Sequence, residues 1–398
     1  MAFDRKIKLA IVGTTGIPAC YGGFETLAHH LVNQLRDEYS ITVYCSSKFY
    51  PASKRIRFYN GARLKYFPLN ANGYQSIPYD FISLIHALIF SEAIIMLGIS
   101  GALLIPFIRF FSSKPLIVNI DGQEWKRAKW NTPIRRFLRW SESLAVNFAD
   151  CVITDNVVIY DYVKKEYGKE STLIEYGADH VSRIPVTAAA AIKYPFLNKP
   201  YFFTVCRIEP ENNIHLILEA FASSTKTLVI VGLWTHGDYG KRLKAKYSRY
   251  ANIHLLDPIY EQKELNILRS NCCCYVHGHS SGGTNPSLVE AMYLQLPVIT
   301  YGVSYNRETT EYKAKYFSTQ QELLALSESI TAPELKKMAA ELKQIADRRY
   351  MWHIISSKYR NMVEVAASKN YRPLEAFSLQ FSTGSSENYY QINEAETF

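Results

Sequence analysis

Short, mostly apolar runs alternate with helical patterns along almost the entire chain, and this alternation limits the fold more than any other feature. KIKLAIVG, ITVYCSS, LKYFP, AIIMLGIS, PLIVNID and CVITD read as strands, with helical patterns such as ETLAHHLVNQLRDE between them. Strands without polar alternation are covered on both faces, which predicts a parallel, doubly wound sheet. After the segment PVTAAAAIKYPFLNKP a second series begins, with strands YFFTVCRI, TLVIVG, IHLLD, CCCYVHG and LPVIT and helices at NNIHLILEAFASS and QKELNILRS. The expectation is an α/β protein of two doubly wound domains, residues 1–190 and 191–350, facing a cleft. Residues 351–370 continue a helical stretch, and the polar residues 371–398 read as a flexible tail. Ligands of such sheets lie outside the carboxyl ends of the strands, where the glycine-rich loops fall.

At 398 residues, 48% hydrophobic and 20% charged, the chain is long enough for two cores. The net charge of +9 leans to the N-terminal half, with 22 basic against 16 acidic residues up to position 185 and 23 against 20 after it. That bias suits nucleic acid, an anionic membrane surface or phosphorylated substrates. Seven cysteines, three of them consecutive at 272–274, form neither a disulfide framework nor a zinc pattern, so a reduced compartment is expected. The opening MAFDRKIKLAIVG lacks the apolar core and cleavage site of a signal peptide, which points to a cytoplasmic protein. Phe81–Phe111 is strongly apolar, yet His86 and Glu92 interrupt it and Ala93–Ile108 is too short to span a bilayer. It reads as a buried helix, a strand and a further helix, with a membrane-embedded hairpin as the alternative.

The loops carry the chemistry. HGHSSGGTNPSLVEAM, His277–Met292, places glycines and small polar residues between a strand and a helix, where unpaired amides and the helix dipole favour a phosphate. The first loop, Gly13–Gly23, is also glycine-rich, but it lacks the dinucleotide spacing G-x-G-x-x-G. The second strand also ends in Cys45, Ser46 and Ser47 with no acid for a ribose, and no Walker lysine is present. Both absences argue against a nicotinamide enzyme and a P-loop enzyme. In CRIEPENNI, Arg207 could clamp two phosphate oxygens or simply pair with Glu209 or Glu211. Glu290 could hold a ribose diol or favour its helix N-terminus. Ile120–Trp140 sets Asp121 and Glu124 beside interleaved basic and tryptophan side chains, a mixture that suits a diphosphate headgroup at a membrane, a single-stranded nucleic acid, or a solvated helix.

Taken together, GTTGIPACYGGFE, NIDGQEWKRAKW, IEYGAD, CRIEPENNI, HGHSSGGTNPSLVEAM and NRETT, spread over residues 7–360, resemble the retaining family-4 type of GT-B glycosyltransferases, and among them bacterial polysaccharide rhamnosyltransferases. The resemblance implies a GT-B fold whose C-terminal helix crosses back to the first domain. It also implies transfer of a sugar, most simply L-rhamnose from dTDP-rhamnose, to a polyprenyl-diphosphate-linked or saccharide acceptor in O-antigen or capsule assembly. Donor contacts implied are Gly22, Gly23, Arg207, Asn212, Gly282, Gly283, Thr284, Asn285 and Glu290. Asp121 and Glu124 are acceptor-side catalytic candidates together with Arg207 on the leaving group, and Trp125, Lys126 and Arg127 would line the entrance. The superfamily has two glutamates with seven residues between them in its C-terminal loop; the second matches Glu290, but the first falls on Gly282. It also has a lysine after its phosphate arginine, where this chain has Asn212. The implied mechanism is a front-side displacement without a metal or a protein nucleophile, at the inner face of the cell membrane with peripheral contact to anionic lipid and no nucleic acid partner. A non-catalytic protein that binds nucleotide sugars or nucleic acid, or a transferase using a UDP- or GDP-sugar, is the alternative.

Overall fold

The apolar run IKLAIV forms β1 (Ile7–Val12) at the middle of the first sheet, bonded in parallel to β2 (Tyr39–Ser46) on one side and to β5 (Ala93–Leu97) on the other. The computed structural model describes residues 5–19, 22–127, 130–235 and 237–368. Outward from β2 lie β4 (Ala62–Phe67) and the short β3 (Phe58–Tyr59), the latter antiparallel to β4. Outward from β5 lie β6 (Leu116–Asn119), β7 (Cys151–Thr154) and β8 (Thr172–Leu173), all parallel. The chain therefore builds the sheet one way from β1 and then the other way from β5. The crevice at that reversal is where doubly wound sheets hold ligands.

The second sheet repeats the plan. β9 (Tyr201–Val205), β10 (Thr227–Val231) and β11 (Ile253–Leu256) run to one side, and β12 (Cys274–His277), β13 (Val298–Tyr301) and β14 (Lys315–Phe317) to the other. Its reversal lies between β9 and β12, so the loop after β9, with Arg207, and the glycine loop after β12 flank one crevice.

The domains share a core. Leu27 and Leu31 of the helix Gly23–Leu35, Tyr176, Leu288 and Trp352 belong to one buried apolar cluster that runs from one sheet to the other. The helical stretch after Leu335 breaks at Tyr350, whose carbonyl accepts the Ala178 N–H at 2.7 Å. The next helix, Trp352–Ala367, crosses back onto Gly23–Leu35, and its Tyr359 hydroxyl accepts a hydrogen bond from the Asn119 amide at 2.9 Å. The Trp352 ring lies so close to Gly177 that a β-carbon there would fall 2.3 Å from the indole, which leaves room only for glycine.

Two expectations need correction. The segment PVTAAAAIKYPFLNKP between the two series, expected to be a plain connection, contains a short helix, Ala188–Lys193, capped by Thr187, whose hydroxyl accepts the Ala190 N–H. The helix Ser76–Phe90, read as buried, covers only the face bearing Tyr79, Ser83, Leu84 and Ala87 and turns Ile82, Ile85 and Ile89 outward. Among the described residues no helix is long and apolar enough to cross a membrane, and Phe81–Phe111 is a helix end, β5 and the helix Ile105–Phe111. The polar segment 371–398 lies outside the described residues.

Candidate active site in the interdomain cleft

A cleft of about 970 Å³ lies between the carboxyl edges of the two sheets. Two helix starts converge on it. The helix Gly23–Leu35 begins at Gly22 and Gly23, and a β-carbon on Gly23 would lie 3.4 Å from Pro286, the first residue of the helix Pro286–Tyr293. Asn285 caps this second helix by accepting the Ser287 N–H at 3.1 Å. Both positive helix ends therefore face the same space, and Arg207 enters it from the loop after β9. Its side chain is half exposed, with one guanidinium nitrogen 3.7 Å from Glu209. Asn212, which also borders the cleft, donates its amide to the Arg207 carbonyl at 2.7 Å and thereby braces the loop.

Glu290 sits one turn deeper. One carboxylate oxygen pairs with the Arg269 guanidinium, and the other lies 3.0 Å from His180 Nε2. Burial alone would raise this carboxyl, but Arg269 and His180 outweigh it and bring it down to about 2, so it is ionised. His180 Nδ1 in turn accepts the Trp352 indole N–H at 3.1 Å, which fixes the proton on Nε2, facing Glu290. Trp352 stacks on His30, with ring centroids 4.3 Å apart, and burial and the neighbouring His180 and His29 lower His30 to about 3.

On the opposite wall, Asp121 follows β6 with φ of +61°, a left-handed conformation that aspartate tolerates. Glu124 is occupied: Arg127 Nε lies at 2.6 Å and the Trp130 indole donates to it at 3.0 Å. Arg127 stands 3.8 Å from Asp121, the looser contact. Burial, aided by Glu124 against the pull of Arg127, raises the Asp121 carboxyl. Trp125 and Lys126 stand outside the cleft lining, with the Lys126 ammonium 5.3 Å from the Trp125 ring and 5.9 Å from the Tyr162 ring.

The glycine loop also has a role that its sequence does not announce. A β-carbon on Gly283 would fall 1.8 Å from Asp155 Oδ1, and one on Gly122 would fall 2.7 Å from Gly282. The loops after β6 and β12 thus meet backbone to backbone across the domain boundary, and the Asp155 side chain of the loop after β7 packs against Gly283. The Thr284 hydroxyl donates to the Asp155 carbonyl, and the Asn156 amide reaches the Thr309 hydroxyl at 3.2 Å. Asp155 is buried, its Oδ1 has no hydrogen-bond partner, and burial together with Asp121 holds its carboxyl well above the usual range. The unfolded chain ionises this group near pH 3.9 while the folded chain keeps the proton, so stability falls as pH rises above about 3.9 toward the folded value. Asp155→Asn removes that slope: its melting temperature gains on the parent's between pH 5 and pH 8, as read by paired thermal scans. A constant difference rejects a protonated Asp155.

Arg269, His180 and Asp155 were not among the residues expected from the sequence. Of those expected, the structure brings Gly22, Gly23, Asp121, Glu124, Arg127, Arg207, Asn212, Gly282, Gly283, Thr284, Asn285 and Glu290 to one cleft. Chemically, the converging helix ends and Arg207 can stabilise a diphosphate, and Asp121 can orient a hydroxyl that approaches from the first domain. Among the described residues no group of three or more His, Cys, Asp or Glu is arranged to hold a metal.

Two doubly wound domains closed by a crossing helix around such a cleft define the GT-B fold, and known structures share it. Sucrose-phosphate synthase from Thermosynechococcus elongatus superimposes with a TM-score of 0.78 at 15% identity, covering 92% of this chain and 100% of that one. Anabaena HepE, solved in complex with UDP-glucose, gives 0.67 at 14% identity, covering 90% and 99%. Residues 190–348 match the family model described as Glycosyl transferases group 1, and residues 6–179 match one described as Domain of unknown function (DUF1972). Over 140 residues the chain is 24% identical to the Glycosyltransferase 1 domain-containing protein 1 of Xenopus tropicalis, spanning 34% of this chain and 40% of that relative. The solved structures thus share the GT-B fold, and residues 190–348 carry the sequence match to glycosyl transferases group 1.

Proposed function

We propose that the chain is a retaining glycosyltransferase that moves L-rhamnose from dTDP-rhamnose to a polyprenyl-diphosphate-linked or saccharide acceptor in O-antigen or capsule assembly, working peripherally at the inner membrane face. The observation that carries the transferase reading is the convergence of two helix N-termini and Arg207 on one interdomain cleft. A leaving diphosphate gains negative charge as it departs and is the anionic group such a site stabilises, and it can accept the acceptor's proton on the face it departs from. Ionised Glu290 keeps lone pairs free beyond those given to Arg269 and His180, which suits a ribose diol. Rhamnose and dTDP rest on the resemblance of the loop motifs, in which Gly282 replaces a glutamate. A UDP-sugar donor is the second reading, favoured by the HepE structures with UDP and UDP-glucose.

A thermal-shift series with dTDP, UDP, GDP and dTDP-rhamnose separates these readings, since a ligand at a hundred times its dissociation constant adds about 2.7 kcal/mol. Selective stabilisation by dTDP compounds is the expected result. Selectivity for UDP moves the donor to the second reading. No shift with any nucleotide, joined to salt-sensitive binding of single-stranded oligonucleotides, would replace the enzyme with a nucleic-acid binding protein.

A further inference from the structure

The outer face of the first domain carries large apolar side chains that no described residue covers. The helix Ser76–Phe90 presents Ile82, Ile85 and Ile89 along one stripe, and the helix Ile105–Phe111 adds Phe107, Phe110 and Phe111, which are 65%, 83% and 81% exposed. The two helices are neighbours: the Lys114 ammonium, just past the second, bonds the Leu88 carbonyl of the first, and Leu88 and Leu104 pack on the same core. The helix Thr132–Phe148 lies against the second and exposes Trp140. Across all three helices the only carboxylates are Asp80 and Glu142, both buried, whereas Arg135, Arg136 and Arg139 are exposed. The three helices thus expose cations and no acid, with the bordering Glu166 and Glu92 paired to Arg139 and Arg5; such an apolar patch fits one kind of partner, a surface with apolar depth and anionic headgroups.

We propose that this face seats the protein on an anionic lipid bilayer, with Phe107, Phe110 and Phe111 at the acyl boundary. The contact takes in only the C-terminal part of the segment Ile120–Trp140, through Arg135, Arg136, Arg139 and Trp140, since Trp125 and Lys126 are engaged with each other and with Tyr162. The proposal deepens, and rests on, the reading of a lipid-linked acceptor. Tyr74 and Ile77 at the start of one helix and Ile134 and Phe137 at the start of another border the cleft, so an acceptor anchored in the bilayer enters it from this side.

The test is co-sedimentation with vesicles of phosphatidylglycerol and phosphatidylcholine, and with phosphatidylcholine alone. The parent protein partitions onto the anionic vesicles, and the variant carrying Phe107→Asp and Phe110→Asp loses at least about tenfold in partitioning. These side chains are exposed, and the nucleotide-induced thermal shift of the variant, unchanged from the parent's, verifies an intact donor site. Equal partitioning of variant and parent, or a parent that ignores anionic vesicles, overturns the proposal. So does a parent dimer in sedimentation velocity that the substitutions disperse while vesicle binding is absent, which assigns the face to a second copy. Vesicle binding needs neither donor nor turnover, so its failure is distinguishable from failure of the transferase reading.

Discussion

Glu290→Ala destabilises the second domain by about 3–5 kcal/mol, because it strands a guanidinium in the interior. Arg269 is 1% exposed and, besides Glu290, its guanidinium has Asn266 at 3.2 Å. The loss is read as a lower urea midpoint followed by a probe of the second domain. Glu290 is held at about 2, against roughly 4.3 for a free glutamate, so its stabilising contribution is complete above pH 4.3 and is lost as pH falls toward about 2. The deficit of the variant should therefore shrink on acidification over that window. The double variant Glu290→Ala/Arg269→Met separates structure from ligand contact: an apolar partner restores most of the stability, while nucleotide affinity stays low if Glu290 holds the ribose. Recovery of affinity with stability would reduce Glu290 to a structural role.

Arg207→Ala lowers kcat by at least about tenfold with little change in melting temperature. A lost charge-assisted contact to a departing diphosphate costs at least about 1.4 kcal/mol in the transition state. In the folded chain Arg207 has only a 3.7 Å contact with Glu209 and a half-exposed side chain, so stability owes it little. Arg207→Lys recovers only part of the rate, because an ammonium cannot form the two-pronged contact. Unchanged kinetics in the alanine variant would leave the diphosphate to the helix ends alone.

The strands were legible wherever they were long and mostly apolar, as at IKLAIV and TLVIV. β3 and β8, two residues each, are too short to show a period. The helix Gly237–Tyr247 was missed because GDYGKRLKAKY buries only Gly240, Leu243 and Tyr247 and so has no continuous apolar stripe. Most cleft residues were legible because they follow strand ends in glycine-rich loops. The Glu290–Arg269–His180 cluster was not, since its members lie on separate elements and nothing in QKELNILRS marks its arginine as buried. Gly283 shows the limit most clearly. The resemblance counted it among the donor contacts, whereas in the folded chain Asp155 of the other domain takes the space where its side chain would be.

Trp352 ties the crossing helix to the first domain, next to the His180–Glu290 contact that spans the two domains. Its ring stacks on His30 of the first domain, and its N–H reaches through His180 to the carboxylate in the donor pocket. Any opening that lifts the crossing helix strips the indole of its stacked neighbour and releases Nδ1 of His180 at the same moment. The molecule thus contains its own optical gauge: in a variant whose other four tryptophans are replaced by phenylalanine, the emission of Trp352 reports how firmly the crossing helix is seated, without an attached dye.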